Sequence, residues 1–184
     1  MTISTISEAQ GWLEGAELRR ESVTPYWEPI RELIEGVQIK EVKHVPTSYG
    51  YLKELYRDDW ALDAEPVGGV FQSTFEPTAI SAWHSHVHTT DRLFVVDGMM
   101  RIVLYDARKS SRTYRMLSTD LQFGLVRPAL VVIPPGVWHG VENISSERAS
   151  LVNLVSVAYD YAEPDHLALP PDTDLIPYRG FRRR

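Results

Sequence analysis

The chain has 184 residues, 43% of them hydrophobic and 24% charged, which suits one globular domain with a real core. Its formal net charge of -6 and pI near 5.5 argue against a nucleic-acid partner, and the absence of cysteine leaves imidazole and carboxylate as the only strong metal ligands. No apolar run is long enough to span a bilayer and the start MTISTISEAQ lacks the regions of a signal peptide, so a cytoplasmic protein without a membrane partner is expected.

The first 36 residues read as a helical extension. Ser7 and Gln10 form a capping box, Thr24-Pro25 reads as an N-cap followed by proline at the first helical position, and Gly36 is a stop signal. From residue 37 onward the pattern changes to strands. Residues 37–42 alternate, 70–75 are β-prone, and 93–96, 101–105, 129–133 and 151–157 are apolar and rich in branched side chains. Turn residues separate them, among them Asp97-Gly98 and Pro134-Pro-Gly136. Many short strands with polar turns point to an all-β sandwich or barrel over 37–184. The proline-rich stretch 163–177 cannot continue a helix and is expected to wrap the barrel. Arg179 and Arg182 to Arg184 make the last residues locally basic, which reads as a solvated terminus.

The chemistry lies in AWHSHVHTTD, residues 82–91. Side chains at i, i+2 and i+4 of a strand share one face, so a strand through His84, His86 and His88 would point all three the same way. Unpartnered in a core, each imidazole would cost roughly 2 to 7 kcal/mol. A cluster of three therefore argues for a site. A further histidine, His139, follows the tight turn Pro134-Pro-Gly136.

Together, His84-x-His86-x4-Asp91-x6-Gly98 and Pro134-x-Gly136-x2-His139-x3-Asn143 resemble the two motifs of the cupin superfamily. The resemblance implies a double-stranded β-helix, or jelly-roll, barrel in which two histidines and a carboxylate of the first motif and the histidine of the second hold a divalent metal. The implied ligands are His84, His86, Asp91 and His139, with Asp91 where cupins usually have glutamate and Pro128 where the second motif usually opens with glycine. His88 is the alternative to the shorter Asp91. Imidazoles with one carboxylate suit zinc, iron(II), manganese or nickel without choosing among them.

Across residues 37–178 the layout further resembles the dTDP-4-dehydrorhamnose 3,5-epimerases, carried by TSYGYLKELYRDD from Thr47, the Trp83-His84 strand, VLYDARKSSRT from Val103 and PPGVWHG from Pro134. Those enzymes use no metal. A histidine removes a proton next to a ketone, a lysine steadies the enolate, and a tyrosine returns a proton from the other face. The resemblance puts His84 at the base position and His139 at the second histidine. It puts Asp91 at the lysine position, with the wrong charge for an enolate. No tyrosine stands early in 151–157; Tyr159 and Tyr161 come later, and the family's arginine before the base is replaced within Ile80-Ser81-Ala82. The leading expectation is a metal-dependent isomerase or epimerase of a small keto compound or sugar, with His88, Tyr159 or Tyr161 moving the proton. The alternatives are an iron(II) dioxygenase and a non-catalytic sugar- or metabolite-binding barrel. Arg101 and Arg108 are surface charges or arginines of the barrel mouth, and the family resemblance implies a homodimer.

Overall fold

A computed structural model describes residues 21–27 and 29–181. The chain divides into two compact units, Met1–Glu32 and Leu33–Arg184. The second begins four residues before the expected boundary because Ile34 and Val37 are buried, at 1% and 5% exposure, in the main core. The helix expected from Thr24 is not formed. Trp27 has a left-handed φ of 62°, and Val23 instead bridges Pro29. Proline at position 29 explains this: five residues into a helix its ring would collide with the carbonyl of residue 25, and it has no N–H to donate. The helix expected around Ser7 and Gln10 lies outside the described residues, as do Arg182 to Arg184.

The Leu33–Arg184 unit holds two five-stranded antiparallel sheets. Strands β1 (Gln38–Glu41), β4 (Gly69–Phe75), β6 (Asp91–Asp97), β9 (Ala129–Ile133) and β11 (Ala149–Val155) form the first, in the order β1-β9-β6-β11-β4. Strands β5 (Ile80–Ser85), β7 (Met99–Asp106), β8 (Leu117–Gly124), β10 (Val137–Asn143) and β12 (Leu167–Ala168) form the second, in the order β12-β5-β10-β7-β8. A separate hairpin pairs β2 (Val45–Thr47) with β3 (Gly50–Leu52). This is the jelly-roll arrangement the sequence led us to expect, and no helix among the described residues is long and apolar enough to cross a membrane.

Strand alternation sorts each strand between two apolar environments. Leu93 and Val95 of β6, Val131 and Ile133 of β9, and Ile102 and Leu104 of β7 meet in the main core. Phe94, Leu130 and Leu154, one residue out of phase, pack instead against Leu55, Tyr56 and Trp60. Val103 and Trp83 lie on the outer face of the second sheet, covered by Ile176 and Phe181 of the C-terminal stretch. Both outer faces being covered explains why 93–96 and 129–133 read as unbroken apolar runs.

The motif glycine Gly98 makes the turn from β6 to β7 with φ of 69°, and a Cβ there would stand 2.6 Å from the Cβ of Ala149. Asn143 closes the second motif by donating from Nδ2 to the carbonyls of Phe75, Glu76 and Glu147. Gly98→Ala is therefore expected to destabilise the fold by about 2 kcal/mol or more, from φ strain and overpacking together. Urea unfolding checks it, and a midpoint equal to that of the parent protein would contradict this account of the turn.

Candidate functional site

The strand carrying the histidine cluster stops at Ser85. His84, on β5, faces a cavity between the sheets, and so does Ser81, because the pairing of β5 with β10 slips between His139 and Val141. His86 and His88 lie beyond the strand, so the three histidines do not share one strand face as expected. His139 on β10 stands opposite His84 in register. From the first sheet come Asp91 of β6 and Asn153 of β11, neighbours of the same inner face.

His86, Asp91 and His139 converge. Their ligand-type atoms all lie within 4.8 Å of one another. Asp91 Oδ2 is 3.3 Å from His86 Nε2 and 3.5 Å from His139 Nε2. Asp91 is 2% exposed, and its other oxygen accepts a hydrogen bond of 2.7 Å from Asn153 Nδ2. The Asn153 amide is itself oriented, because its oxygen accepts from the Arg92 N–H. His84 is not in this group: its Nε2 bonds Ser81 Oγ and its Nδ1 bonds His166 Nε2, each at 2.8 Å.

The tautomers follow from the partners. A carbonyl only accepts, so His86 Nδ1 donates to the carbonyl of Asp165, and a neutral His86 presents the lone pair of Nε2 to Asp91. His139 Nδ1 likewise donates to the Val137 carbonyl, leaving its Nε2 as an acceptor. Burial first, then His86 and His166, push the His139 pKa down against the opposing charge of Asp91. With both rings neutral, three acceptor atoms face one point. Ligands around one tetrahedral ion at about 2.1 Å stand roughly 3.4 Å apart, close to the two separations from Asp91 to the histidines. The donor set fits a divalent cation held by two histidines and one aspartate, with Asn153 and the Asp165 carbonyl orienting the ligands. His84 is pushed down to about 4, by burial first and then by His139, His166 and His86, so it is neutral at pH 7.

The cavity has a volume of about 730 Å³. His88, Tyr159 and Tyr161 all line it, at its mouth: His88 is on an exposed bend, and the tyrosines are 57% and 91% exposed. Their rings meet edge to face with centroids 5.1 Å apart. Arg101 and Arg108 do not line the cavity; they pair with Glu142 and Asp106.

Two residues that sequence reasoning missed complete the site. Asp165 accepts from the N–H groups of Val87, His88 and Thr89 and from the Thr89 hydroxyl, so it fixes the bend that carries His86. His166 stacks on His86 with centroids 5.3 Å apart as well as bonding His84. The available signal was a histidine directly after an aspartate in the C-terminal wrap, one of only six histidines in the chain.

No family model matches the chain. It is 32% identical over 145 residues to the spore coat polysaccharide biosynthesis protein SpsL of Bacillus subtilis (strain 168), covering 78% of this chain and 94% of that one. It is 31% identical over 141 residues to the probable low-salt glycan biosynthesis epimerase Agl13 of Haloferax volcanii, covering 76% and 89%. Among solved structures, a dTDP sugar isomerase from Desulfovibrio desulfuricans G20 superposes with a TM-score of 0.74 at 26% identity, covering 79% of this chain and 91% of that one. The fold is shared with NovW, a 4-keto-6-deoxy sugar epimerase from Streptomyces spheroides, at a TM-score of 0.68, 23% identity, and coverage of 77% and 73%.

Burial raises the Asp165 pKa, but the N–H groups of His88 and Val87 and the Thr89 donors outweigh it and hold the carboxyl at about 2. An unfolded aspartate titrates near 3.9, so the stabilisation is complete above roughly pH 4 and is lost as pH falls towards 2. Asp165→Asn should therefore show a smaller loss of urea midpoint between pH 5 and pH 2.5 than the parent protein. Equal losses would contradict this role of the Asp165 carboxylate.

Proposed function

This chain belongs to the dTDP-sugar epimerase-like family of cupins, and from that premise we propose that it is an epimerase or isomerase of a keto-sugar that works with a divalent metal held by His86, Asp91 and His139. The observation that carries the reading is the convergence of His86 Nε2, His139 Nε2 and Asp91 Oδ2 on one buried point. Three lone pairs aimed at one buried point are favourable only around positive charge.

Epimerisation next to a ketone needs a base for the α proton, positive charge at the carbonyl oxygen, and a donor on the opposite face. The family resemblance puts the stabilising lysine at Asp91. A bound divalent cation supplies Lewis acidity in place of that lysine. His84 occupies the base position, and its bond to the exposed His166 gives a proton taken there a path to solvent. His88, Tyr159 and Tyr161, which line the mouth, are the candidates for returning a proton. Asn153 and Asp165 keep the ligands turned inward and Ser81 holds the His84 ring.

A second reading rests on the same three residues. Two histidines and one carboxylate with open positions are the ligand set of iron(II) oxygenases. Oxygen uptake by the iron-loaded protein separates the two readings.

Purified protein is expected to carry about one equivalent of zinc, iron, manganese or nickel by elemental analysis, and to lose it in His86→Ala and Asp91→Asn. Adding back the metal at about a hundredfold excess over its dissociation constant should stabilise the parent by roughly 2.7 kcal/mol and leave His86→Ala unmoved. Metal-free protein with no response to any divalent ion would refute the metal, and a 4-keto-6-deoxy sugar that exchanges no α proton with D2O would refute the epimerase.

A further inference from the structure

Between β11 and β12 the chain runs along the cavity mouth in eight consecutive exposed residues, 157–164. Val157 to Tyr161 and Glu163 line the cavity. Both ends of the segment are pinned. At the near end Ser156 is buried and bonds Thr90 twice, donating its N–H to the Thr90 carbonyl and accepting from the Thr90 N–H at its hydroxyl. At the far end the Asp165 carboxylate takes four hydrogen bonds from the 87–89 bend, and Leu169 exchanges two backbone bonds with Trp83. The tip between the pins is organised by its own contacts: Asp160 Oδ1 accepts from the N–H groups of Ala162 and Glu163, and the Tyr159 and Tyr161 rings meet edge to face. Fixed ends around a self-contained tip are the layout of a surface loop that moves as one body.

The near flank lies directly against Gly68. A Cβ added there would stand 2.6 Å from the Ser156 carbonyl oxygen and 2.8 Å from the Ala158 nitrogen, so a side chain at this position would prop the flank away from the sheet edge. On that edge β4 exposes Val70 at 62% and Phe71 at 51%, and the segment itself exposes Val157 at 50% and Tyr159 at 57%. All four line the same cavity. Apolar side chains around one open mouth lose water when the mouth closes on a sugar ring. The chemistry asks for the same movement. A proton donor must come within hydrogen-bond reach of the carbon it protonates, and an enolate is protected by excluding water, whereas the Tyr161 ring here is 91% exposed.

We propose that residues 157–164 form a lid, hinged at 157–158 against Gly68, that closes on the bound keto-sugar and carries Tyr159 and Tyr161 from solvent onto it. The proposal rests on the keto-sugar reading above and is independent of the metal. Asp165 and His166 lie at and behind the far pin, so the lid swings while the groups that orient His86 and His84 stay in place.

The chain contains no cysteine, so Ala162→Cys takes a single nitroxide label at the tip of the lid, and Thr119→Cys takes one on β8 as a control. The test uses the full chain, purified without chelator, and thymidine-diphosphate-linked 4-keto-6-deoxyglucose as the probe, with exchange of its α proton in D2O followed by NMR on parent and labelled proteins. Saturating probe is expected to convert about half or more of the mobile component of the Ala162→Cys spectrum into an immobilised one and to leave the Thr119→Cys spectrum unchanged. A label at 162 that abolishes exchange, where one at 119 does not, supports the lid equally. Gly68→Ala is expected to lower kcat/KM for exchange about tenfold or more in protein with the parent's circular dichroism. Normal exchange by labelled protein whose tip stays mobile overturns the lid and leaves the epimerase standing, as does a folded Gly68→Ala with the parent's kcat/KM. If Gly68→Ala does not fold, the labels decide alone. If the parent exchanges no proton with this probe, the keto-sugar reading fails and the lid fails with it.

Discussion

The site depends on one buried carboxylate. Asp91 sits at the inner end of a central strand at 2% exposure, where an isolated charge would be expelled or protonated unless donors or positive charge met it. One of its oxygens is met by the Asn153 amide, and the other faces two imidazole nitrogens whose protons are committed elsewhere. Much of the surrounding framework bears on that arrangement. Arg92, fully buried and tied to Asp63, fixes the backbone that orients Asn153, and Gly136 donates its N–H to the carbonyl of His86.

The C-terminal stretch is as much a part of the site as the two motifs. Its β12 pairs with β5 at Ser85 and His84, and just before it Asp165 and His166 reach the bend and the two histidines. Its later residues Ile176 and Phe181 cover the outer face of the same sheet beneath Trp83. Packing on one face of β5 and polar bonds on the other thus hold the histidine strand from both sides. A change in this segment acts on the chemistry through His86 and His84.

The strands and the glycine turns were legible from the sequence because alternation, branched side chains and positive-φ glycines are local signals. The β8 strand was not, since LSTDLQFG mixes polar and apolar residues and finds its place only by pairing with β7. The helix expected at Thr24 does not form because the proline at 29 overrides the capping signals. Within the site, the cupin resemblance brought His86, Asp91 and His139 into view, but it set His84 beside them as their equal. Only the structure separates them, since His84 spends both ring nitrogens on Ser81 and His166, a partner 82 residues away. Long-range contacts of that kind, like Asp165 to His88, leave no periodic trace.

The account's central claim is a cation at the meeting point of His86, Asp91 and His139, and anomalous diffraction from crystals of the protein purified without chelator tests it most directly. A peak about 2.1 Å from each of His86 Nε2, His139 Nε2 and Asp91 Oδ2 is the predicted result. An empty point, with an imidazolium of His86 or His139 donating straight to Asp91, would contradict it.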